Sequence, residues 1–218
     1  MLQKKYKTVL NEAVAEIEEK KSRFIATVKP VRAEEEALEF INSLKSKYWD
    51  ATHNVYAYCI GGKSAVQRFS DDGEPSGTAG MPVLEVIKKM GLQDLAVVVT
   101  RYFGGTLLGA AGLIRAYSKS ASLGIEAAGV VVRQLCVEMN IVVEYGVFGR
   151  VQNQLISEGY AIKSIIYEQD VEIIVYVPID DLEKFTESVI EATNARVLIS
   201  QGEKTYVTLD EEGRIIRA

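Results

Sequence analysis

Three carboxylates fall within four residues at Asp71, Asp72 and Glu74, inside the polar stretch Ser70-Asp-Asp-Gly-Glu-Pro-Ser-Gly-Thr-Ala-Gly80. Carboxylates at that density can hold a divalent cation or act as acid and base. The alternating ligands and terminal Glu of an EF-hand are missing, so a calcium loop of that type is excluded. Asp-Gly and Glu-Pro are also turn chemistry, and Gly77-Thr78 is placed to cap a following helix. A binding loop and a structural turn both fit these residues.

The second candidate is Arg101-Tyr-Phe-Gly-Gly-Thr-Leu-Leu-Gly-Ala-Ala-Gly112, which leaves an apolar run and enters a helical pattern. Free N–H groups at a helix start attract anions, and Gly104 and Gly105 would let a phosphate approach the backbone. Arg101 and Arg115 would supply charge. The spacing is not that of a dinucleotide fingerprint. The competing reading is a tight turn, with Gly109 and Gly112 at packing spacing within a helix. Gly62-Lys63-Ser64 is not a P-loop, because Ala57 stands where the motif needs glycine and a strand follows instead of a helix. His53 is the only histidine, so any triad would rest on it alone. At the start of a strand it reads as a hydrogen-bonded structural residue rather than a catalytic one. Cys59 and Cys136 are far apart with no CxxC, which argues against a disulfide framework and a zinc site.

The elements that must position these residues follow from periodicity. In the first half, two strands are expected within Ala13–Pro30, the better one at Ser22–Val28. A helix carries Ala37, Ile41, Leu44 and Tyr48 on one stripe, and strands at Asn54–Ile60 and Ala65–Ser70 flank Gly61-Gly62-Lys63-Ser64 as a hairpin turn. The acidic loop leads into a helix at about Pro82–Met90. Leu95–Thr100 reads as a buried strand, and the second Gly-rich loop starts a helix over Leu107–Ala127. In the second half, Val131–Val143 alternates as a strand, and Phe148, Val151 and Leu155 mark a helix stopped by Gly159. Strands follow at Tyr160–Tyr167 and Val171–Val177, then a helix opened by the box-spaced Asp180-Asp-Leu-Glu183, then a strand or bent pair over Arg196–Leu209. The order β-α-β-β-α-β is ferredoxin-like. Two α+β domains are expected, residues 1–129 and 130–218, divided near Gly129. Tyr167 and Tyr176 are candidates for a base-stacking face, although the RNA-binding signature is missing and Glu172 lies among them.

Charge separates the halves. Residues 1–130 carry 17 Lys+Arg against 15 Asp+Glu, and residues 131–218 carry 8 against 15. A net of −7 makes the second half a poor surface for nucleic-acid phosphates. The N-terminus is charged with no signal-peptide pattern, and no apolar run is long enough to span a bilayer. A cytoplasmic protein without a membrane segment is expected.

Lys21-Ser-Arg-Phe-Ile-Ala26, Thr52-His53 with Ala57-Tyr58, Asp71-Asp-Gly-Glu-Pro-Ser-Gly-Thr-Ala-Gly80, Val98-Val-Thr-Arg-Tyr-Phe-Gly-Gly105 and Gly112-Leu-Ile-Arg-Ala-Tyr117 together resemble the IMPACT/YigZ family. The resemblance covers about the first 128 residues, and residues 131–218 resemble the second domain of bacterial members. It implies an N-terminal domain with the left-handed β-α-β fold of the second domain of ribosomal protein S5, and a C-terminal domain like domain V of elongation factor G. Eukaryotic members regulate translation by competing for a scaffold that activates a kinase of an initiation factor. The resemblance thus implies a translation-linked regulatory or accessory factor, without catalysis or cofactor. Its partner would be a ribosome, an RNA or a translation-associated protein, with no DNA sequence specificity. The contact site would comprise His53, Asp71, Asp72, Glu74, Thr78, Arg101, Gly104, Gly105 and Arg115. The alternative is an enzyme for a phosphorylated small molecule, using the Gly-rich loop 104–112 and the acidic loop 71–74.

Overall fold

The computed structural model describes residues 3–61, 66–210 and 212–217, so the Gly62-Lys63-Ser64 turn lies outside the described residues. The chain divides into two compact units. One holds Tyr6–Val131, and the other runs from Val132 onwards and includes Gln3–Lys5. Both mix helices with antiparallel strands, as the α+β reading requires.

The first unit contains all but the first residue of β1 (Lys5–Val9), with β2 (Ala13–Glu19), β3 (Ser22–Pro30), α1 (Glu34–Lys47), β4 (His53–Ile60), β5 (Val66–Ser70), α2 (Gly80–Lys89), β6 (Leu95–Tyr102) and α3 (Ala110–Ala128). Its five-stranded sheet has the order β2-β3-β6-β4-β5 and is antiparallel throughout. β6 is the central strand, and Leu95–Arg101 are all buried. The reason is that both faces are covered. Val97 and Val99 join α2 and α3 in one core, while Ala96 and Val98 join α1 in another. A strand covered twice cannot alternate with polar residues, which explains the unbroken valine run. Each fully buried Val or Leu contributes about 1.5–3 kcal/mol, so the strand that carries Arg101 is firmly held. α3 lies close on β3, because a Cβ at Gly124 would stand 2.9 Å from Ala26 Cβ.

Besides shifts of a residue or two at other element ends, one helix start and one strand depart from the sequence reading. α3 begins at Ala110, not Leu107, because Gly109 takes φ +72° as its N-cap and leaves residues 103–109 as loop. β1 is unannounced in the sequence, since Lys-Tyr-Lys-Thr-Val shows no long alternation. It is anchored by a bridge from Lys7 to Leu92.

The second unit contains β7 (Val130–Val143), α4 (Tyr145–Ser157), β8 (Ala161–Tyr167), β9 (Val171–Pro178), α5 (Leu182–Thr193), β10 (Leu198–Leu209) and β11 (Ile215–Arg217). The sequence β-α-β-β-α-β is present, with β11 added by a turn that bends the chain back along β10. Strands lie in the order β11-β10-β7-β9-β8, with α4 and α5 covering one face through Val151, Leu155, Phe185 and Val189. The expected capping box is not formed: Asp181 is the N-cap of α5 and makes no side-chain cap bond. Tyr167 and Tyr176 do not make a common stacking face either. Tyr176 is buried with Cys136, Val207 and Leu209, whereas Tyr167 stacks on Tyr145 and meets Phe148 edge-on at the α4 side. Both cysteines are free and buried. Burial pushes the Cys136 thiol up to about 11, well away from reactive thiolate behaviour.

Candidate functional site

β6 ends at Tyr102, and the register against β3 and β4 sets Arg101 opposite Phe24 and His53. Arg101 is buried. Its Nη1 donates to Glu74 Oε1 at 2.6 Å, and its Nη2 reaches Ser22 Oγ at 3.3 Å. The Tyr117 hydroxyl donates to the same Glu74 oxygen at 2.7 Å. Tyr117 is fixed by α3 and by an edge-on contact with Phe24 at 5.2 Å. Burial, followed by the adjacent Glu74 charge, pushes the Tyr117 hydroxyl far above its ordinary value, so it stays a donor. The guanidinium also lies over the rings of Phe24 and Phe103. Arg101 of β6 and Tyr117 of α3 thus converge on the one buried carboxylate of the acidic loop, and Ser22 and Phe24 of β3 hold the guanidinium in place.

His53 supplies the other side of Glu74. Its Nδ1 lies 2.8 Å from the Asp72 carbonyl oxygen, and its Nε2 lies 3.9 Å from Glu74 Oε2. A carbonyl only accepts, so Nδ1 carries the proton and Nε2 faces the carboxylate.

The remaining acids of the loop are used internally. Asp71 Oδ1 accepts the N–H groups of Ala79 and Gly80, and its Oδ2 accepts that of Gly77. The start of α2 is therefore capped by a residue nine positions away in sequence. Asp72 stands at φ +46° and accepts Asn54 N–H at 2.6 Å and Lys45 Nζ at 2.9 Å. Burial alone would raise the Asp72 carboxyl, but these two donors outweigh it and hold the group below its ordinary value. Thr78 does not cap α2; its hydroxyl donates to the Pro75 carbonyl. Among the described residues, no group of three His, Cys, Asp or Glu side chains is placed to hold a metal ion.

The two loops meet. A cleft of about 380 Å³ runs between them, with His53, Glu74 and Arg101 in its lining. Pro75, Phe103, Leu107 and Leu113 give its walls an apolar character. Leu107 is 82% exposed and Phe103 45% exposed at this rim. Of the nine candidates, His53, Glu74 and Arg101 line this cleft, and Asp71, Asp72, Thr78, Gly104, Gly105 and Arg115 do not. Arg115 lines a different cleft, beside the first turns of α3. Gly104 has no room for a ligand against its Cα, because a Cβ there would lie 2.0 Å from the Lys21 carbonyl group. What approaches it is the chain's own β2–β3 turn, and Gly104 N–H donates to Ser22 Oγ. Gly105 is open, with φ +82°.

Ser22, Tyr117, Thr52 and Lys45 belong to this constellation and were not singled out from residue type. Ser22, Thr52 and Tyr117 do lie inside the motifs that carry the family resemblance.

A mixed α+β pair of units, the first with a buried Glu–Arg–Tyr cluster beneath a loop-lined cleft, defines the class structurally. Residues 20–125 match the Impact N-terminal domain, and residues 141–196 match a domain of unknown function, DUF1949. The IMPACT family member YvyE of Bacillus subtilis (strain 168) is 46% identical over 202 residues, covering 93% of each chain. YigZ of Escherichia coli (strain K12) is 43% identical over 100 residues, covering 45% of this chain and 49% of that one. A solved structure described as that of a hypothetical protein superposes with a TM-score of 0.60 at 27% identity, over 93% of this chain and 99% of that one. The chain belongs to the IMPACT family.

Proposed function

We propose that the chain is a translation-linked accessory factor that binds a protein partner through the cleft between the acidic loop and the 103–109 loop. The observation that carries this reading is the pairing of a charge-neutralised floor with an apolar, exposed rim. Arg101 is already matched by Glu74, so the floor offers little free charge to a phosphate. Phe103 and Leu107 stand exposed together with Pro75 beside a concavity, as in the anchor pockets of protein interfaces. Each carboxylate oxygen of Asp71 and Asp72 already accepts a hydrogen bond, which weighs against the acid–base role of the enzyme alternative. The link to translation rests on family membership, and the acidity of residues 131–218 favours protein over RNA.

Co-sedimentation of the full chain with ribosomes at low and moderate salt tests this, comparing wild type with Leu107→Asp. Association that survives the salt increase and is lost in Leu107→Asp supports an apolar protein contact. Association that falls steeply with salt and ignores Leu107→Asp would assign it to RNA phosphates. No association at either salt would remove the ribosome as the partner. Arg101→Glu is an unsuitable probe, because it places two carboxylates together inside the domain.

A further inference from the structure

The second cleft has a different character from the first. Its volume is about 390 Å³, and it lies between the β2–β3 turn and the α3 face that carries Arg115. Three cations converge on it: Lys20 from the turn, and Arg115 and Lys119 one helical turn apart on α3. Glu19 is the one carboxylate in its lining, and Leu108 and Ala116 give it an apolar side. Among the described residues, none of the three cations makes an ion pair or a hydrogen bond within the chain.

The turn that presents Lys20 is built in an unusual way. Lys20 and Lys21 both have positive φ, 47° and 67°, between the paired residues Glu19 and Ser22. Such a two-residue turn favours Asn-Gly, because left-handed backbone is strained for a residue with a Cβ. Two lysines occupy it here. The tip is also locked in place, since Gly104 packs directly on the Lys21 carbonyl group and Gly104 N–H is bonded to Ser22. Lys20 is therefore held beside α3 by contacts that would not be needed for a solvated loop. The start of α3 adds to the field. It has no side-chain cap and no acidic residue in its first turn, and Gly112 of that turn lines the cleft.

We propose that this cleft binds a compact phosphate group, a phosphomonoester or pyrophosphate on a small ligand. Three cations against one carboxylate leave a local excess of two positive charges, which matches a phosphate dianion. The volume is that of a small-molecule site. The cations come from two elements that line a single concavity, Lys20 from the turn and Arg115 and Lys119 from α3, which suits a compact anion better than an extended nucleic-acid backbone.

Calorimetric titration of the full chain with inorganic pyrophosphate at fixed ionic strength tests the assignment, with poly(U) as a parallel titrant. Wild type is expected to bind pyrophosphate saturably at one site. Arg115→Gln and Lys119→Gln should each weaken it by about tenfold or more, the loss of a charge-assisted contact. Lys89→Gln, an exposed cation on α2 outside the cleft, should bind as wild type does. All three positions are exposed, and unchanged unliganded melting temperatures confirm folding. The proposal is overturned by any of three results: no saturable binding of pyrophosphate, equal weakening in Lys89→Gln, or a preference for poly(U) over pyrophosphate. Leu107→Asp leaves this cleft intact, so failure here and failure of the protein-partner reading are distinguishable.

Discussion

Arg101 Nη1 and Glu74 Oε1 are 2.6 Å apart, with only 6% and 3% of the two side chains exposed. The pair ties the end of a doubly covered strand to the tip of the acidic loop. It also fixes where the first cleft opens, since both residues line it. Tyr117 completes the acceptor geometry from α3, so three separate elements depend on one carboxylate.

Removal of either partner leaves an uncompensated charge in the interior. Glu74→Ala and Arg101→Ala are each expected to destabilise the chain by about 3–5 kcal/mol, read as a shift in urea midpoint. The double variant should cost less than the sum of the two, because each single variant already contains the penalty of the orphaned partner. Simple additivity would show that the two side chains are energetically independent.

Asp72 gives a pH signature. Its folded value lies below the ordinary 3.8, so its stabilisation is complete above that value and is lost as pH falls through the lower folded value. Near neutral pH, Asp72→Asn should be less stable than wild type by about 1 kcal/mol, reflecting the loss of charge-assisted bonds from Asn54 and Lys45. The difference should shrink below 3.8. Denaturant titrations across that range check it, and a gap that stays constant with pH would contradict the role given to the charged form.

These residues show what a sequence can and cannot disclose. Helix stripes and strand alternation were legible because one-sided burial imposes a period, as with Phe185 and Val189 on α5. β6 was legible for the opposite reason, since a strand covered on both faces has no polar positions. The acidic and glycine loops were legible as places, from their composition and from motif order. The direction of each side chain was not. Nothing in the local sequence says that Arg101 turns inward to Glu74, because that depends on the register of β3, β4 and β6. The partners of Asp71 at Gly77, Ala79 and Gly80 follow from the path of the loop. Gly104 was read as room for a ligand, but the space is taken by Lys21, a residue more than eighty positions away in the chain.

Gly104 and Gly105 should therefore differ sharply on substitution. At Gly105 a Cβ meets open space, so Gly105→Ala carries only the left-handed backbone penalty, about 1 kcal/mol. At Gly104 the new Cβ collides with backbone, which cannot swing aside, and the expected cost is above about 3 kcal/mol. Gly104→Ala should also displace the Lys20-Lys21 turn and weaken pyrophosphate binding, whereas Gly105→Ala should not. Thermal melts with and without pyrophosphate distinguish the two.

Asp71 is the last test, and it separates a structural from a chemical use of the acidic loop. Its two oxygens accept three backbone N–H groups, and α2 has neither a side-chain cap from its own N-cap residue nor an acid in its first turn. Asp71→Ala should cost about 1–2 kcal/mol, the loss of a helix cap, and should speed amide exchange at Gly77, Ala79 and Gly80. Asp71→Asn keeps an acceptor oxygen, so it should recover part of that loss. A metal ligand or general acid would behave differently: both substitutions would leave stability and local exchange near wild type. Recovery by Asn with protected amides is the outcome expected if Asp71 holds the start of α2, and through it the wall of the cleft at Glu74 and Pro75.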